Sequence, residues 1–267
     1  GETAVCLIVF AYCHQPGYRL IVAANRDEYY GRPTAAASFW RDAPAILAGR
    51  DLQEMGTWLG ITRTGRFAAL TNFRDPSRMK AGRRSRGELV GAFLQGTAEP
   101  EQYLRDISRK DSAYNGFNLL VGDGGSLWYY SNRTGRPVRI EPGVYGLSNH
   151  LLDTPWPKVS KAKAEFTEYL AGTAAVAPEP LLAILADRSA PPDEALPDTG
   201  VGLERERMLA PIYIAGTDYG TRASTVLTVA DTGRVSVVER AAGRDSAFGF
   251  VSGEEETPAD PATAGSE

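Results

Sequence analysis

With 267 residues the chain can bury a substantial core, and 33 acidic residues against 29 Lys and Arg leave a net charge of −4, without the basic surplus of a nucleic-acid binder. No apolar run approaches the roughly 18 residues of a membrane span, and residues 6–11 are too short and too poorly flanked for a signal peptide, so a cytoplasmic protein with no transmembrane segment is expected. Two cysteines and two histidines, with no Cys-x-x-Cys, His-Glu-x-x-His or Gly-x-Ser-x-Gly spacing, argue against a disulfide framework, structural zinc and a Ser-His-Asp hydrolase; neither metal nor cofactor is expected.

Residues 6–11 and 18–24 are β-rich runs around His14-Gln15-Pro16-Gly17, and Pro-Gly between two apolar runs is a turn, so the pair reads as a hairpin. Residues 46–49, 57–62 and 66–72 continue as an antiparallel meander. Helical spacing follows over 85–95 and 100–108, with Leu89, Val90, Phe93 and Leu94 on one stripe and Tyr103, Leu104 and Ile107 on the next. Strand character returns at 117–121, 127–131, 138–140 and 144–148, helix at 157–171 and 180–186, and strand at 212–215, 224–229 and 235–239. Residues 187–210, rich in Pro, Asp, Glu and Gly, read as a long surface loop. This order of strands and helices implies an α+β fold of two sheets with helices packed outside. Residues 6–250 are expected to form one domain, 1–5 to be leader or expression-remnant residues, and 251–267 to be a disordered acidic tail.

Asn25-Arg26-Asp27-Glu28 follows the apolar run Leu20-Ile21-Val22-Ala23-Ala24, and Cys6 opens the strand before it. Further along, in order, come Gly56-Thr57-Trp58-Leu59-Gly60, Thr71-Asn72, Phe117-Asn118-Leu119-Leu120, Tyr145-Gly146-Leu147-Ser148-Asn149-His150 with Pro155-Trp156-Pro157, and Tyr219-Gly220-Thr221-Arg222-Ala223-Ser224-Thr225. From Cys6 to about Val229 the chain resembles the NRDE-motif family, also called the Transport and Golgi organisation family. The same order is similar to N-terminal-nucleophile cysteine hydrolases of the choloylglycine hydrolase and acid amidase type.

That resemblance implies a four-layer αββα sandwich and a cysteine amide hydrolase or acyltransferase acting on a non-peptide C–N bond of a small molecule. Cys6 would be the nucleophile, with its own α-amine as base. Asp27 would orient that amine, Asn72 and Asn149 would hold the oxyanion or substrate, and Arg222 would tune the charge of thiolate and carboxylate. Asn25, Arg26, Trp58 and His150 are the implied substrate contacts. Choloylglycine-type enzymes place Arg before Asn in the early cluster, whereas here Ala24 precedes Asn25 and Arg26 follows it. Residues 1–5 stand ahead of Cys6, so the proposed base requires their removal.

Each of these residues also has a structural reading. Cys6 in an apolar strand suits an inert buried thiol, and the Asn25 to Glu28 cluster suits a buried hydrogen-bond network that pins the hairpin. Asn72 and Asn149 suit turn caps, Trp58 a core position, and His150 a satisfied structural histidine. Arg74, Arg78, Lys80, Arg83, Arg84 and Arg86 form a local basic run that suits a solvated loop or the steering of a carboxylate or phosphate. The resemblance implies one further alternative, a non-enzymatic carrier of haem or of lipid or acyl-CoA using the same cleft, with His150 as axial ligand and the basic run meeting the haem propionates.

Overall fold

The computed structural model describes residues 6–253; the expected leader and residues 254–267 of the expected tail lie outside the described residues. Strands β1 (Cys6–Tyr12) and β2 (Tyr18–Tyr29) lead into β3 (Thr34–Phe39), β4 (Ile46–Asp51), β5 (Leu59–Thr62) and β6 (Phe67–Asn72). Helices α1 (Gly87–Gln95) and α2 (Pro100–Ser108) precede β7 (Phe117–Gly122), β8 (Leu127–Ser131), β9 (Val138–Arg139) and β10 (Gly143–Leu147). Helices α3 (Pro157–Ala171), α4 (Pro178–Leu185) and α5 (Leu203–Leu209) then lead to β11 (Tyr219–Ala230), β12 (Arg234–Ala241) and β13 (Arg244–Val251).

The strands form two antiparallel sheets, one ordered β10-β1-β2-β11-β12-β13 and the other β3-β4-β5-β6-β7-β8-β9. Side chains alternate along a strand, and that period sorts them into layers. From β1, Ile8 and Phe10 join Val22, Ala24, Ile61, Ala69 and Leu120 in a core between the sheets. Leu7 and Val9 face the other way, onto Val159, Phe166 and Leu170 of α3 and Leu181, Leu182 and Leu185 of α4. The second sheet presents Ala68, Leu119 and Val121 to Leu89, Val90 and Phe93 of α1 and Leu104 and Ile107 of α2. The result is the expected αββα order.

Local chemistry explains the elements. Pro16-Gly17 turns the β1–β2 hairpin, with Gly17 at φ +84°, a conformation open to glycine at little cost. α2, α3 and α4 each begin with proline, whose missing N–H costs nothing in a first helical turn.

Several expectations are corrected. Residues 212–215 are not a strand: only Ala215 forms an isolated bridge, to Gly220, because Ile212 and Ile214 are buried in two different apolar clusters. The expected loop 187–210 contains α5, which buries Glu206 and Leu209. β3, short and alanine-rich, carries little strand signal. β13 extends order past the expected end of strand structure at 239, pairing with β12 throughout, and Val251, assigned to the tail, closes it.

One close approach shapes the site wall. A Cβ on Gly56 would lie 2.5 Å from the backbone carbon of Gly87 at the start of α1, and Thr57 donates its backbone N–H to the Gly87 carbonyl at 3.2 Å. Backbone cannot rotate away as a side chain can. Gly56→Ala is therefore expected to cost about 1–3 kcal/mol, read as a lower midpoint in thermal or urea unfolding; wild-type stability would show that the 56–58 and 85–87 segments separate freely.

Candidate active site

The register of the first sheet sets the geometry. Cys6 pairs with Arg26 across β1 and β2, and Thr221 of β11 pairs with Asp27. Parity places Cys6, Arg26 and Glu28 on the face shared with the inter-sheet core, and Asn25 and Asp27 on the face packed by helices. Cys6, 7% exposed, lies in a cleft of about 210 Å³ whose lining includes Arg26, Asp27, Glu28, Thr57, Trp58 and Asn72. The cleft continues to Arg32, Asp51 and Glu54 on one side and to the turn Arg83-Arg84-Ser85-Arg86-Gly87 and Asn115 on the other.

Within it, the Arg26 guanidinium lies 4.2 Å from the Trp58 ring centroid, a cation–π contact. It also meets Glu28 at 3.8 Å and Thr34 Oγ1 at 3.2 Å. Arg32 pairs with Asp51 at 2.7 Å. Asn72 ends β6 at the cleft, and its side-chain amide takes no hydrogen-bond partner among the described residues. Asn72 and Cys6 line the same cleft. Burial pushes the Cys6 thiol up to about 12, with the Asp27 charge adding to the effect and the Asp27 backbone N–H and Arg26 opposing it. Little thiolate exists at neutral pH in this state.

Asp27 is fully buried. Its Oδ1 accepts from Thr221 Oγ1 at 2.6 Å, while its Oδ2 accepts no hydrogen bond among the described residues. Burial raises its carboxyl to about 6, against the pull of Lys158, Thr221, Arg74 and Arg26.

The other expected site residues are distributed differently. Asn149 does not line the cleft: its Nδ2 donates to the Asn72 carbonyl at 2.8 Å, so it supports the end of β6 from behind. Arg222 is the extra residue of a β-bulge between Thr221 and Ala223, and its Nη1 donates to the carbonyls of Tyr29 at 2.7 Å and Arg32 at 3.1 Å. It holds the turn after β2 rather than the thiol. Asn25 donates to the carbonyls of Leu185 and Ile212, each at 2.8 Å, and accepts from Ser224 Oγ at 2.6 Å; it is a pin between β2 and the helical layer. His150 has its Nδ1 2.8 Å from Thr154 Oγ1 and its ring packed near Phe73 and Trp156, outside the cleft lining, and burial lowers its basicity.

Several motif residues join the sheets instead. Ser148 Oγ donates to the Cys6 carbonyl at 2.9 Å, Thr71 Oγ1 donates to the Ser148 carbonyl at 2.6 Å, and Asn118 Nδ2 donates to Thr71 Oγ1 at 3.0 Å. The basic run divides: Arg83, Arg84 and Arg86 reach the cleft, whereas Arg74 is buried in an ion pair with Glu206 at 2.7 Å. Lys158, also buried beside Asp27's face of the sheet, carried no sequence signal beyond its place after Pro155-Trp156-Pro157.

The layer order, strand order and a cysteine opening the first strand define the fold of N-terminal-nucleophile hydrolases. A mutant conjugated bile acid hydrolase from Clostridium perfringens superposes with a TM-score of 0.50 at 8% identity, over 92% of each chain, a likeness of fold alone. The family model described as Transport and Golgi organisation 2 matches residues 5–244, and the chain belongs to that family. It is 40% identical over 256 residues to the Transport and Golgi organization protein 2 homolog of Bos taurus and 40% identical over 257 residues to that of Homo sapiens, in both cases over 88% of this chain and 92% of the relative. Among the described residues no helix is long and apolar enough to cross a membrane.

The thiol's environment gives a direct test. Cys13 is exposed whereas Cys6 is buried, and thiolate rather than thiol is the nucleophile. Iodoacetamide at pH 7.5 is expected to alkylate Cys13 at least about tenfold faster than Cys6 in the chain that retains residues ahead of Cys6, followed site by site by mass spectrometry. Equal rates would show a thiolate that the surrounding charges do not account for.

Proposed function

We propose that the protein is a cysteine N-terminal-nucleophile amide hydrolase or acyltransferase acting on a non-peptide C–N bond of a small molecule, once the Cys6 amine is exposed. The observation that carries this reading is one cleft lined by Cys6 at the start of β1 and by Asn72 at the end of β6, with the Asp27 carboxyl buried on the other face of β2 and its Oδ2 unpartnered among the described residues. In the proposed step the Cys6 sulfur attacks the amide carbon while the α-amine takes the thiol proton. The carbonyl oxygen becomes an oxyanion that accepts a hydrogen bond from Asn72. Collapse breaks the C–N bond, the leaving amine takes the proton back, and the thioester passes its acyl group to water or to another acceptor. Asp27, one residue past the Cys6–Arg26 pair, holds the amine, which supplies the hydrogen bonds that Oδ2 otherwise lacks. Arg26 on the Trp58 face forms the cleft wall that meets the substrate.

The alternative, a carrier of haem or of lipid or acyl-CoA, is in keeping with the word transport in the family's name, and the arginines at the cleft edge suit a ligand with anionic groups. Haem has the weaker support, because no histidine lines the cleft among the described residues and His150 already has partners.

A form beginning at Cys6 is expected to hydrolyse a panel of small N-acyl amides at least about tenfold faster than a form with the preceding residues, since acylating the α-nitrogen removes its basicity; Cys6→Ala should abolish turnover. Equal rates from the two forms would place the base elsewhere. The pH profile is a second check. With its carboxyl raised to about 6 by burial, Asp27 is neutral below that pH and anionic above it, and the α-amine that serves as base, with a reference value of about 8, also becomes protonated as pH falls, so turnover should fall as pH drops from 8 through about 6. A profile flat from pH 4 to 8, roughly two units either side of that midpoint, would remove Asp27 from the reaction.

A further inference from the structure

The start of α3 meets α5 and the segment after β6 around a cavity of about 10 Å³, whose lining includes Arg74, Trp156, Pro157, Lys158, Glu206 and Leu209. That lining is rich in donors. Arg74, 6% exposed, uses Nη1 on Glu206 Oε2 at 2.7 Å, whereas its buried Nε and Nη2 make no hydrogen bond among the described residues. Lys158, 4% exposed, donates one Nζ hydrogen to the Leu209 carbonyl at 3.0 Å, and an ammonium carries three. Pro157 and Lys158 open α3, whose N-terminus has no side-chain cap, so the Lys158 backbone N–H lacks an intrahelical acceptor. Acceptors are scarce. Among the described residues Glu206 is the one carboxylate in the lining, and both its oxygens are engaged: Oε2 by Arg74, and Oε1 by the Thr199 backbone N–H at 2.9 Å and Thr199 Oγ1 at 2.6 Å. Asp27 acts on Arg74 and Lys158 electrostatically but is not part of the lining, so it does not meet these donors.

We propose that this cavity binds one small monovalent anion such as chloride, held by Arg74 Nε and Nη2, Lys158 Nζ and the start of α3. Buried donors left unmet are costly, and the N-terminus of a helix adds a partial positive charge that favours an anion. Size sets the class of ligand. About 10 Å³ is room for a single water-sized particle, which excludes phosphate, sulfate and any larger carboxylate. Water fits the volume less well in chemistry than a halide does: its two hydrogens need acceptors, where Glu206 has both oxygens engaged, whereas a halide only accepts. None of the cavity's lining residues lines the Cys6 cleft. Arg74 follows Asn72 by two residues, and its backbone N–H donates to the Asn149 carbonyl at 2.7 Å. The anion thus braces the segment that carries Asn72 from the helical side, without entering the cleft.

The site is tested on the full chain and needs no turnover. Crystals grown with sodium bromide as the salt are measured at the bromine absorption edge, and an anomalous peak is expected in the cavity, within hydrogen-bond reach of Arg74 Nη2 and Lys158 Nζ. In solution, sodium chloride replaces sodium gluconate at constant ionic strength, gluconate being too large to enter. A ligand that binds only the native state raises the unfolding midpoint, so chloride should lift it by at least about 2 °C. Lys158→Gln, which keeps a donor for the Leu209 carbonyl and removes the charge, should lose both the peak and the increment. A folded variant that keeps both overturns the proposal, and where the variant does not fold the two wild-type measurements decide. Water density in the cavity with no anomalous peak overturns it. A peak together with equal midpoints in the two salts marks an adventitious ion only, and overturns it as well.

Discussion

Pairing of Cys6 with Arg26 across β1 and β2 decides where every charge of the Asn25 to Glu28 cluster goes. Because side chains alternate, that one register sends Arg26 and Glu28 into the cleft with the thiol and sends Asn25 and Asp27 into the helical layer. A slip by one residue would exchange the two sets, burying Arg26 against α4 and exposing Asn25 to the space between the sheets. The register is held on both sides. Asn25 is tied to Leu185, Ile212 and Ser224, and the Cys6 carbonyl is tied to Ser148. Four consecutive polar residues in a central strand are tolerated because every one of them has a partner on its own face.

The same arrangement favours thiol over thiolate at Cys6. A buried thiolate is already disfavoured by desolvation, and here it would sit near Asp27 and Glu28 with Arg26 as the compensating cation. On the proposed reading, exposing an α-amine would change that sum by adding one more proton carrier, and in its ammonium form one more positive charge, at Cys6. Activation through backbone cleavage would then be electrostatic as well as chemical, since the group that takes the proton also neutralises the carboxylate that had been holding the thiol protonated.

The sheet and helix order was legible because apolar alternation and proline at helix starts are strong local signals, and β1, β2, α2 and α3 begin where those signals put them. β3 and α5 were not legible: Thr34-Ala-Ala-Ala-Ser-Phe39 has one large apolar side chain, and Leu203-Glu-Arg-Glu-Arg-Met-Leu209 has charge where a loop would also have it. At the site, Cys6, Asn72, Arg26 and Trp58 line one cleft, whereas side-chain direction turns the Asp27 carboxyl to the helical layer and keeps Asn149 and Arg222 out of the lining. Proximity in a motif does not say which way a residue faces. Arg222 is thrown out of register by a bulge, a feature with no sequence mark here, and Lys158 and Glu206 are legible only once α3 is known to pack on β1 and β10 and α5 near Tyr29 at the end of β2.

The ion pairs around the cleft differ in burial, and that difference bears on what could bind. On one side, Arg32 and Asp51 are mostly buried and 2.7 Å apart, so separating them would strand a desolvated charge at a cost of several kcal/mol. At the edge, Arg84 meets Glu88 at 2.7 Å with side chains 62% and 35% exposed, a pair of the kind worth about 0–1 kcal/mol. A ligand's anionic group can therefore displace Glu88 from Arg84 at small expense but cannot displace Asp51 from Arg32. On the reading proposed above, an anionic ligand would place its charge on the Arg83 to Arg86 turn and its uncharged end against Trp58 and the thiol, so that a neutral amide or acyl group, rather than a carboxylate, would reach Cys6.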